Sequence, residues 1–262
     1  MAIDRWASGN DYDPYMGRWS RLVAPEFVRW LAVEPGARWL DVGCGTGALA
    51  ETVLDVASPA SVTGIDPSAG FVDFARQRLA GRAVLEVGDA QELPYPDDSF
   101  DAVGSGLVLN FVPDPARACA EIGRVLRGGG TAGAYIWDYP GMQMMARFWD
   151  VAVSVDWNVT SDHETARFAG WNLDRLRELL DAAGFADIAE REIVVTTMFA
   201  DFDDYWTPFL GGQGVAPAYL RSLPDEVQEV IREGLREHLP IAPDGSITLS
   251  ARAWAVKGRA PA

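Results

Sequence analysis

Short β-rich runs alternate with stretches of helical period from about residue 37 to residue 130, the signature of βαβ units and a parallel sheet. The β-rich runs fall at 38–42, 61–65, 83–87, 100–105 and 130–137, and helices fit between them at 48–56, 68–79 and 115–126. Asp114 is placed to cap the third of these helices, Pro115 to start it, and Gly128, Gly129 and Gly130 to end it. Ahead of the first strand, an aromatic and arginine-rich stretch from Tyr12 to Arg21 leads into a helix that runs to about Leu31. Beyond the fifth strand the period is lost: 142–170 is rich in Trp, Phe and Met with no single repeat, and reads as an insertion. Helical spacing resumes at 173–183 and stops at Gly184, with further strands near 187–197 and 246–257. Val227, Val230, Ile231 and Leu235, behind Pro224 and Asp225, mark an amphipathic helix inside a second insertion. Joined without a βαβ crossover, the last two strands should run antiparallel.

Composition narrows the class. With 48% hydrophobic residues in 262, the chain is that of a folded globular protein, and one core with large insertions suits its length. A formal charge of −16 argues against general affinity for nucleic acid or an anionic membrane surface. A small or cationic ligand is easier to accommodate. No apolar run reaches the roughly 18 residues of a membrane span, and residues 1–6 lack the apolar core of a signal peptide, so a cytoplasmic location is expected. Cys44 and Cys119, in a glycine turn and in a helix, suggest neither a disulfide framework nor a metal site, and both are assigned to packing.

The segment Trp39-Leu40-Asp41-Val42-Gly43-Cys44-Gly45-Thr46-Gly47-Ala48-Leu49 carries the chemistry. A buried strand runs into three alternate glycines, whose backbones reach conformations closed to other residues, and then into a helix whose first N–H groups are unpaired. That is a cradle for a ligand. Gly43-x-Gly45-x-x-Ala48, with Asp66 about twenty residues on, satisfies the dinucleotide fingerprint, so an NAD(P)-dependent oxidoreductase is one reading. Against it, Asp41 at the end of the strand is expected to face the crevice, where its carboxylate would repel a pyrophosphate and attract an ammonium.

In these residues the chain resembles the class I S-adenosylmethionine-dependent methyltransferases of small-molecule type. Leu40-Asp41-Val42-Gly43-Cys44-Gly45-Thr46-Gly47 looks like the family's first motif, Gly64-Ile65-Asp66-Pro67-Ser68 like its second-strand motif and Gly88-Asp89-Ala90-Gln91-Glu92-Leu93-Pro94 like its third. Phe100-Asp101-Ala102-Val103 looks like the fourth strand, and the stretch from Glu121 to Gly130 like the approach to the fifth. The resemblance implies an α/β fold with a Rossmann-like, doubly wound seven-stranded sheet, mostly parallel with an antiparallel C-terminal strand pair, plus helical lid insertions. One domain over 1–262 is expected: a cap segment at 1–34, a cofactor-binding core at 35–138, lids at 139–171 and 199–244, and core-completing segments at 172–198 and 245–258. The resemblance also implies S-adenosylmethionine as cofactor and S-adenosylhomocysteine as product. By the same token Arg18 would pair with the methionyl carboxylate while Tyr12 or Tyr15 closes the pocket. Packing and capping of the first helix by Arg18 and Trp19 is the alternative.

The chemistry of that ligand assigns the other residues. Asp66, followed by Pro67, can accept both ribose hydroxyls in charge-assisted bonds worth about 1.5–3 kcal/mol each when buried. Asp89 can accept from the adenine amine, the Ala90 N–H can reach a ring nitrogen, and Phe71 and Leu93 offer apolar faces. Gly43, Gly45 and Gly47, with Ser105, Gly106 and Leu107 after the fourth strand, should line the methionyl end of the crevice. Asp66 as a helix cap and Asp89 as an ordinary turn residue are the plainer readings.

Met142, Met144, Met145, Phe148, Trp149, Trp157 and Phe168 from the first insertion, and Tyr205, Trp206 and Phe209 from the second, would form an apolar lid and mostly its own core. Gly211-Gly212-Gln213-Gly214 would be a turn or a hinge. The expected function is methyl transfer to a small organic acceptor by in-line displacement, with catalysis mainly by positioning. A non-catalytic S-adenosylmethionine-binding protein is the remaining alternative. No catalytic residue is assigned: His163 reads as a surface residue, His238 as a helix end, and Asn110 stands where relatives often carry histidine. The acceptor atom and a homodimer stay open; no metal, nucleic-acid or membrane partner is expected.

Overall fold

The computed structural model describes residues 13–156, 164–211 and 214–261. Its strands are β1 (Arg38–Val42), β2 (Ser61–Asp66), β3 (Val84–Val87), β4 (Phe100–Gly106), β5 (Leu126–Trp137), β6 (Ala186–Phe199) and β7 (Ile247–Arg259). They form one seven-stranded sheet in the order β3-β2-β1-β4-β5-β7-β6. The first five run parallel, and β7 lies antiparallel between β5 and β6. This is the Rossmann-like α/β sheet, with its direction of winding reversing between β1 and β4. β1 is buried at all but its first position, as a parallel strand covered on both faces must be. β6 alternates towards its far end, burying Ile193, Val195, Thr197 and Phe199 and exposing Val194 and Met198.

The helices are α1 (Arg18–Leu31), α2 (Ala48–Val56), α3 (Ala69–Leu79), α4 (Pro115–Val125), α5 (Gln143–Val155), α6 (Glu164–Arg167), α7 (Leu173–Ala182), α8 (Phe202–Leu210), α9 (Val215–Ser222) and α10 (Asp225–His238). One apolar cluster joins the sheet to α1, α2 and α3 and continues into the insertions; a second joins it to α4 and α7. Asp114 caps α4 as its sequence implies, accepting the Arg117 N–H at 3.0 Å.

Two expectations change. Gly128, Gly129 and Gly130 do not end α4, because the chain passes from Val125 directly into β5 at Leu126. They accommodate an irregularity in the pairing with β4: Gly129 is left-handed at φ 70°, and a Cβ on Gly130 would stand 2.8 Å from the Arg127 carbonyl oxygen. In α10 the apolar stripe is narrower than its spacing suggests, with Ile231 and Leu235 buried and Val230 exposed. That helix crosses α5 closely, where a Cβ on Gly234 would lie 2.8 Å from Val151 Cγ1.

The insertions pack on one another. The Tyr205 hydroxyl of α8 donates to the Met144 carbonyl of α5 at 2.9 Å, and the rings of Phe148 and Phe209 stack with centroids 4.6 Å apart. Cys44 and Cys119 are buried and free. Among the described residues no helix is long and apolar enough to cross a membrane.

Candidate active site

β1 ends where the chain turns through Gly43, Gly45 and Gly47, all left-handed, at φ 76°, 50° and 86°. The Gly43 and Cys44 N–H groups both donate to the Ile65 carbonyl, at 2.8 and 3.0 Å, which sets the turn against the end of β2. Asp66 closes the arrangement: one carboxylate oxygen accepts the Gly45 N–H at 3.0 Å and the other accepts the Ser68 N–H at 2.8 Å. Burial raises the Asp66 pKa above the ordinary carboxylate range, against those two hydrogen bonds. The helix-cap role itself falls to Ser68, whose hydroxyl accepts the Phe71 N–H.

A cavity of about 440 Å³ opens at the carboxyl ends of the strands, at the point where the winding reverses, a size and position suited to a small ligand. Residues at or just past the ends of β1, β2 and β3 form its floor, Gly43, Gly45, Asp66, Pro67, Asp89 and Ala90, and Phe71, Gly106 and Leu107 also line it. Much of the remaining lining is apolar and aromatic: Phe111, Trp137, Tyr139, Met145 and Phe168, with Tyr15 and Met16 from the N-terminal segment. Tyr15 is held by a 2.9 Å hydrogen bond from its hydroxyl to the Met145 sulfur and by an edge contact with Phe209. Leu107 takes a left-handed φ of 65° that costs a non-glycine residue energy, and its N–H donates to the Tyr135 carbonyl at 2.7 Å.

Several expected residues stand elsewhere. Asp41 does not line the cavity; it is 3% exposed, and one of its oxygens accepts the Ala50 N–H at 3.0 Å. The reason is local: Gly47, the N-cap of α2, has no side chain to satisfy the first helical turn, and Asp41 supplies the acceptor from the strand below. Ser105 also lies outside the lining, 1% exposed, its hydroxyl donating to the Val42 carbonyl across the β1–β4 gap. Leu93 is buried in the second apolar cluster, with α4 and α7, its N–H donating to Glu121. Gly47 serves packing, since a Cβ there would meet Ala75 and Leu79 at 3.3 and 3.4 Å.

Arg18 points away from the cavity, pairing with Asp204 at 2.7 Å, donating to the Met198 carbonyl and lying over the Trp19 ring. Its packing alternative is the one that the contacts favour. Tyr12, Trp157, His163, Gly212 and Gln213 lie outside the described residues.

Sequence reasoning missed the wall formed by Val108, Phe111, Val112 and Pro113. The run from Leu107 to Pro113, apolar at all but one position directly after a strand, was its signal. It also missed Gln91, whose side chain and N–H both donate to Asp89 and hold that carboxyl below its usual pKa, hence ionised. Most of the expected lid aromatics are lid core: Tyr205 and Phe209 are fully buried, whereas Met145 and Phe168 reach the cavity.

The residues present suit S-adenosylmethionine. A Cβ on Gly45 would meet only the Gly43 carbonyl, at 4.0 Å, so the turn leaves open backbone beside the cavity. Each Asp66 oxygen accepts one N–H and retains a second acceptor site, enough for a diol. Asp89 is an ionised acceptor further along the same floor.

The buried Asp41 carries a stability consequence. Desolvation pushes its pKa up to about 7, and its second oxygen has no partner among the described residues. A raised folded-state pKa gives stability that is fully present below the unfolded value and lost as pH rises through the folded one. The unliganded wild type should therefore lose on the order of 4 kcal/mol relative to Asp41→Asn between pH 4 and pH 8. Parallel denaturant titrations across that range check this, and a stability difference independent of pH would contradict it.

Comparison with known proteins agrees with this geometry. A family model described as a methyltransferase domain matches residues 40–133. The demethylmenaquinone methyltransferase of Symbiobacterium thermophilum is 39% identical over 122 residues, covering 44% of this chain and 47% of that protein, so the match spans about half of that relative. The demethylmenaquinone methyltransferase of Lactobacillus johnsonii is 31% identical over 181 residues, covering 62% of this chain and 73% of that protein. Among solved structures, phosphoethanolamine N-methyltransferase 2 of Haemonchus contortus in complex with S-adenosyl-L-methionine shares the fold, with a TM-score of 0.55 at 18% identity, covering 94% of this chain and 53% of that one. Sheet, glycine turn and relatives together place this chain in the class I S-adenosylmethionine-dependent methyltransferases, whose cofactor is S-adenosylmethionine.

Proposed function

We propose that the protein transfers a methyl group in line to a small organic acceptor held in the apolar half of the cavity, with catalysis mainly by positioning. The observation that carries this reading is one cavity at the carboxyl ends of the strands whose lining includes Gly45, Asp66 and Asp89 together with the aromatic rings of Tyr15, Phe111, Trp137, Tyr139 and Phe168. Asp66 would accept from the ribose hydroxyls, Asp89 and the Ala90 N–H would take the adenine edge, and Phe71 would cover its face. Gly43, Gly45, Gly106 and Leu107 would hold the methionyl end. Bound there, S-adenosylmethionine supplies a methyl group already activated on a sulfonium. The chain then has to align an acceptor and exclude water, and alignment alone supplies on the order of 7–11 kcal/mol. Tyr15, fixed by Met145, and Met16 serve as cover. In this reading the described parts of 1–34, 139–171 and 199–244 close over a core formed by 35–138, 172–198 and 245–258.

The two curated relatives are named for demethylmenaquinone, so a reduced quinone ring is the first acceptor to test. Titration calorimetry with S-adenosylmethionine, S-adenosylhomocysteine and NAD tests the cofactor: binding of the first two is expected. Tight NAD binding with no response to the others would overturn the reading. Incubation with methyl-labelled S-adenosylmethionine and 1,4-naphthohydroquinone, read by mass spectrometry, tests transfer. Mass spectrometry of small molecules that copurify identifies the acceptor directly.

A further inference from the structure

Asp89 stands just after β3, and one neighbour already takes up most of its carboxylate. The Gln91 N–H donates to Asp89 Oδ1 at 2.8 Å, and the Gln91 side-chain amide donates to Oδ1 and to Oδ2, at 3.0 Å each. A carboxylate oxygen accepts about two hydrogen bonds, so Oδ1 is filled, and among the described residues Oδ2 keeps one site. The amide is itself anchored. Its Oε1 accepts the Asp114 N–H at 3.0 Å, at the N-cap of α4. The two ends fix its orientation, because the reverse would set a carbonyl against the carboxylate and an NH2 group against the Asp114 N–H. Asp89, Ala90 and Gln91 all line the cavity, as do Val112 and Pro113 just ahead of α4. One side chain thus joins an acceptor in the cavity floor to the wall beside it.

Packing does not hold Asp89, whose residue is exposed. Without Gln91 its carboxylate would turn about its side-chain torsions, and ordering it around a ligand would cost affinity. We propose that Gln91 is a positioning residue for the cofactor's adenine: it immobilises Asp89 and leaves Oδ2 as the oxygen that accepts the 6-amino group. This rests on the placement of adenine at Asp89 in the reading above.

The test compares S-adenosylhomocysteine with its analogue lacking the 6-amino group, by titration calorimetry on the whole protein. The analogue keeps the ring nitrogens, so the comparison isolates the amine. Wild type should bind the amino form at least about tenfold tighter, as one charge-assisted hydrogen bond implies. Gln91→Ala should cut that ratio to about threefold or less, chiefly by weakening the amino form. A residue that only braced the loop would weaken both ligands alike and leave the ratio as it was. Gln91→Glu keeps an acceptor for the Asp114 N–H and removes the side-chain donors to Asp89. It should lower the ratio too, and it serves if Gln91→Ala fails to fold. An undiminished ratio in the folded variant overturns the inference alone. A wild-type ratio near one instead removes the placement of adenine at Asp89, and failure of the wild type to bind either ligand removes the methyltransferase reading; the inference falls with each.

Discussion

Gly43→Ala is expected to eliminate measurable cofactor binding and to lower stability by about 2–4 kcal/mol, the sum of a left-handed non-glycine residue and an overpacked contact. Gly43 sits at φ 76°, and a Cβ there would stand 2.5 Å from Val108 Cγ1 and 2.9 Å from Val108 Cβ. Val108 forms part of the cavity wall, so relief of the clash would displace the turn or the wall, and either move spoils the floor. Gly36 is the control: it is also left-handed, at φ 81°, but a Cβ there would meet nothing within 4 Å. Denaturant unfolding and calorimetry with S-adenosylhomocysteine on both variants separate the two costs. Equal losses at the two positions would mean that the Val108 contact carries nothing.

Replacing Asp66 should weaken cofactor binding by at least about tenfold, the cost of losing charge-assisted bonds to a diol. The sequence alone suggests that Asp66→Ala would leave the fold intact, on the view that its contacts lie at the surface. The structure corrects this. Asp66 is 8% exposed and satisfies the Gly45 and Ser68 N–H groups, so alanine strands two donors and should also cost about 1–3 kcal/mol of stability. Asp66→Asn keeps one good acceptor and most of the volume, and isolates the effect on the ligand better. Because burial raises its pKa, Asp66 should lose its charge, and the protein its cofactor affinity, at a higher pH than an exposed aspartate would on acidification. Affinity unchanged in Asp66→Asn would reduce Asp66 to a structural tie between the turn and α3.

Elements with strong local signals were legible in the sequence. The start of α4 follows from Asp114 and Pro115, and α2 from the glycine turn that precedes it. The floor was legible for the same reason, since Gly43, Gly45, Asp66 and Asp89 sit at fixed distances from strand ends that the alternation marks. What failed depends on direction or on distance along the chain. The side of β1 to which Asp41 turns, and the helical N–H that it meets there, are decided by packing. Arg18 and Asp204 are 186 positions apart, so no local pattern could announce their pairing. The glycines after α4 were misread because a glycine run signals a helix end and an irregular strand equally well; the neighbouring β4 decides between them.

The position of β7 bears on how the molecule is made. It is the last strand in chain order, yet it lies inside the sheet, pairing with β5 on one side and β6 on the other. During synthesis β5 and β6 therefore both wait with open edges until the final strand leaves the ribosome, and β6 has no sheet partner at all before then. Open edges of that kind invite pairing with other chains. A nascent chain stalled before Ile247 would thus be a substrate for chaperones or proteolysis, however completely the floor of its cavity had already formed.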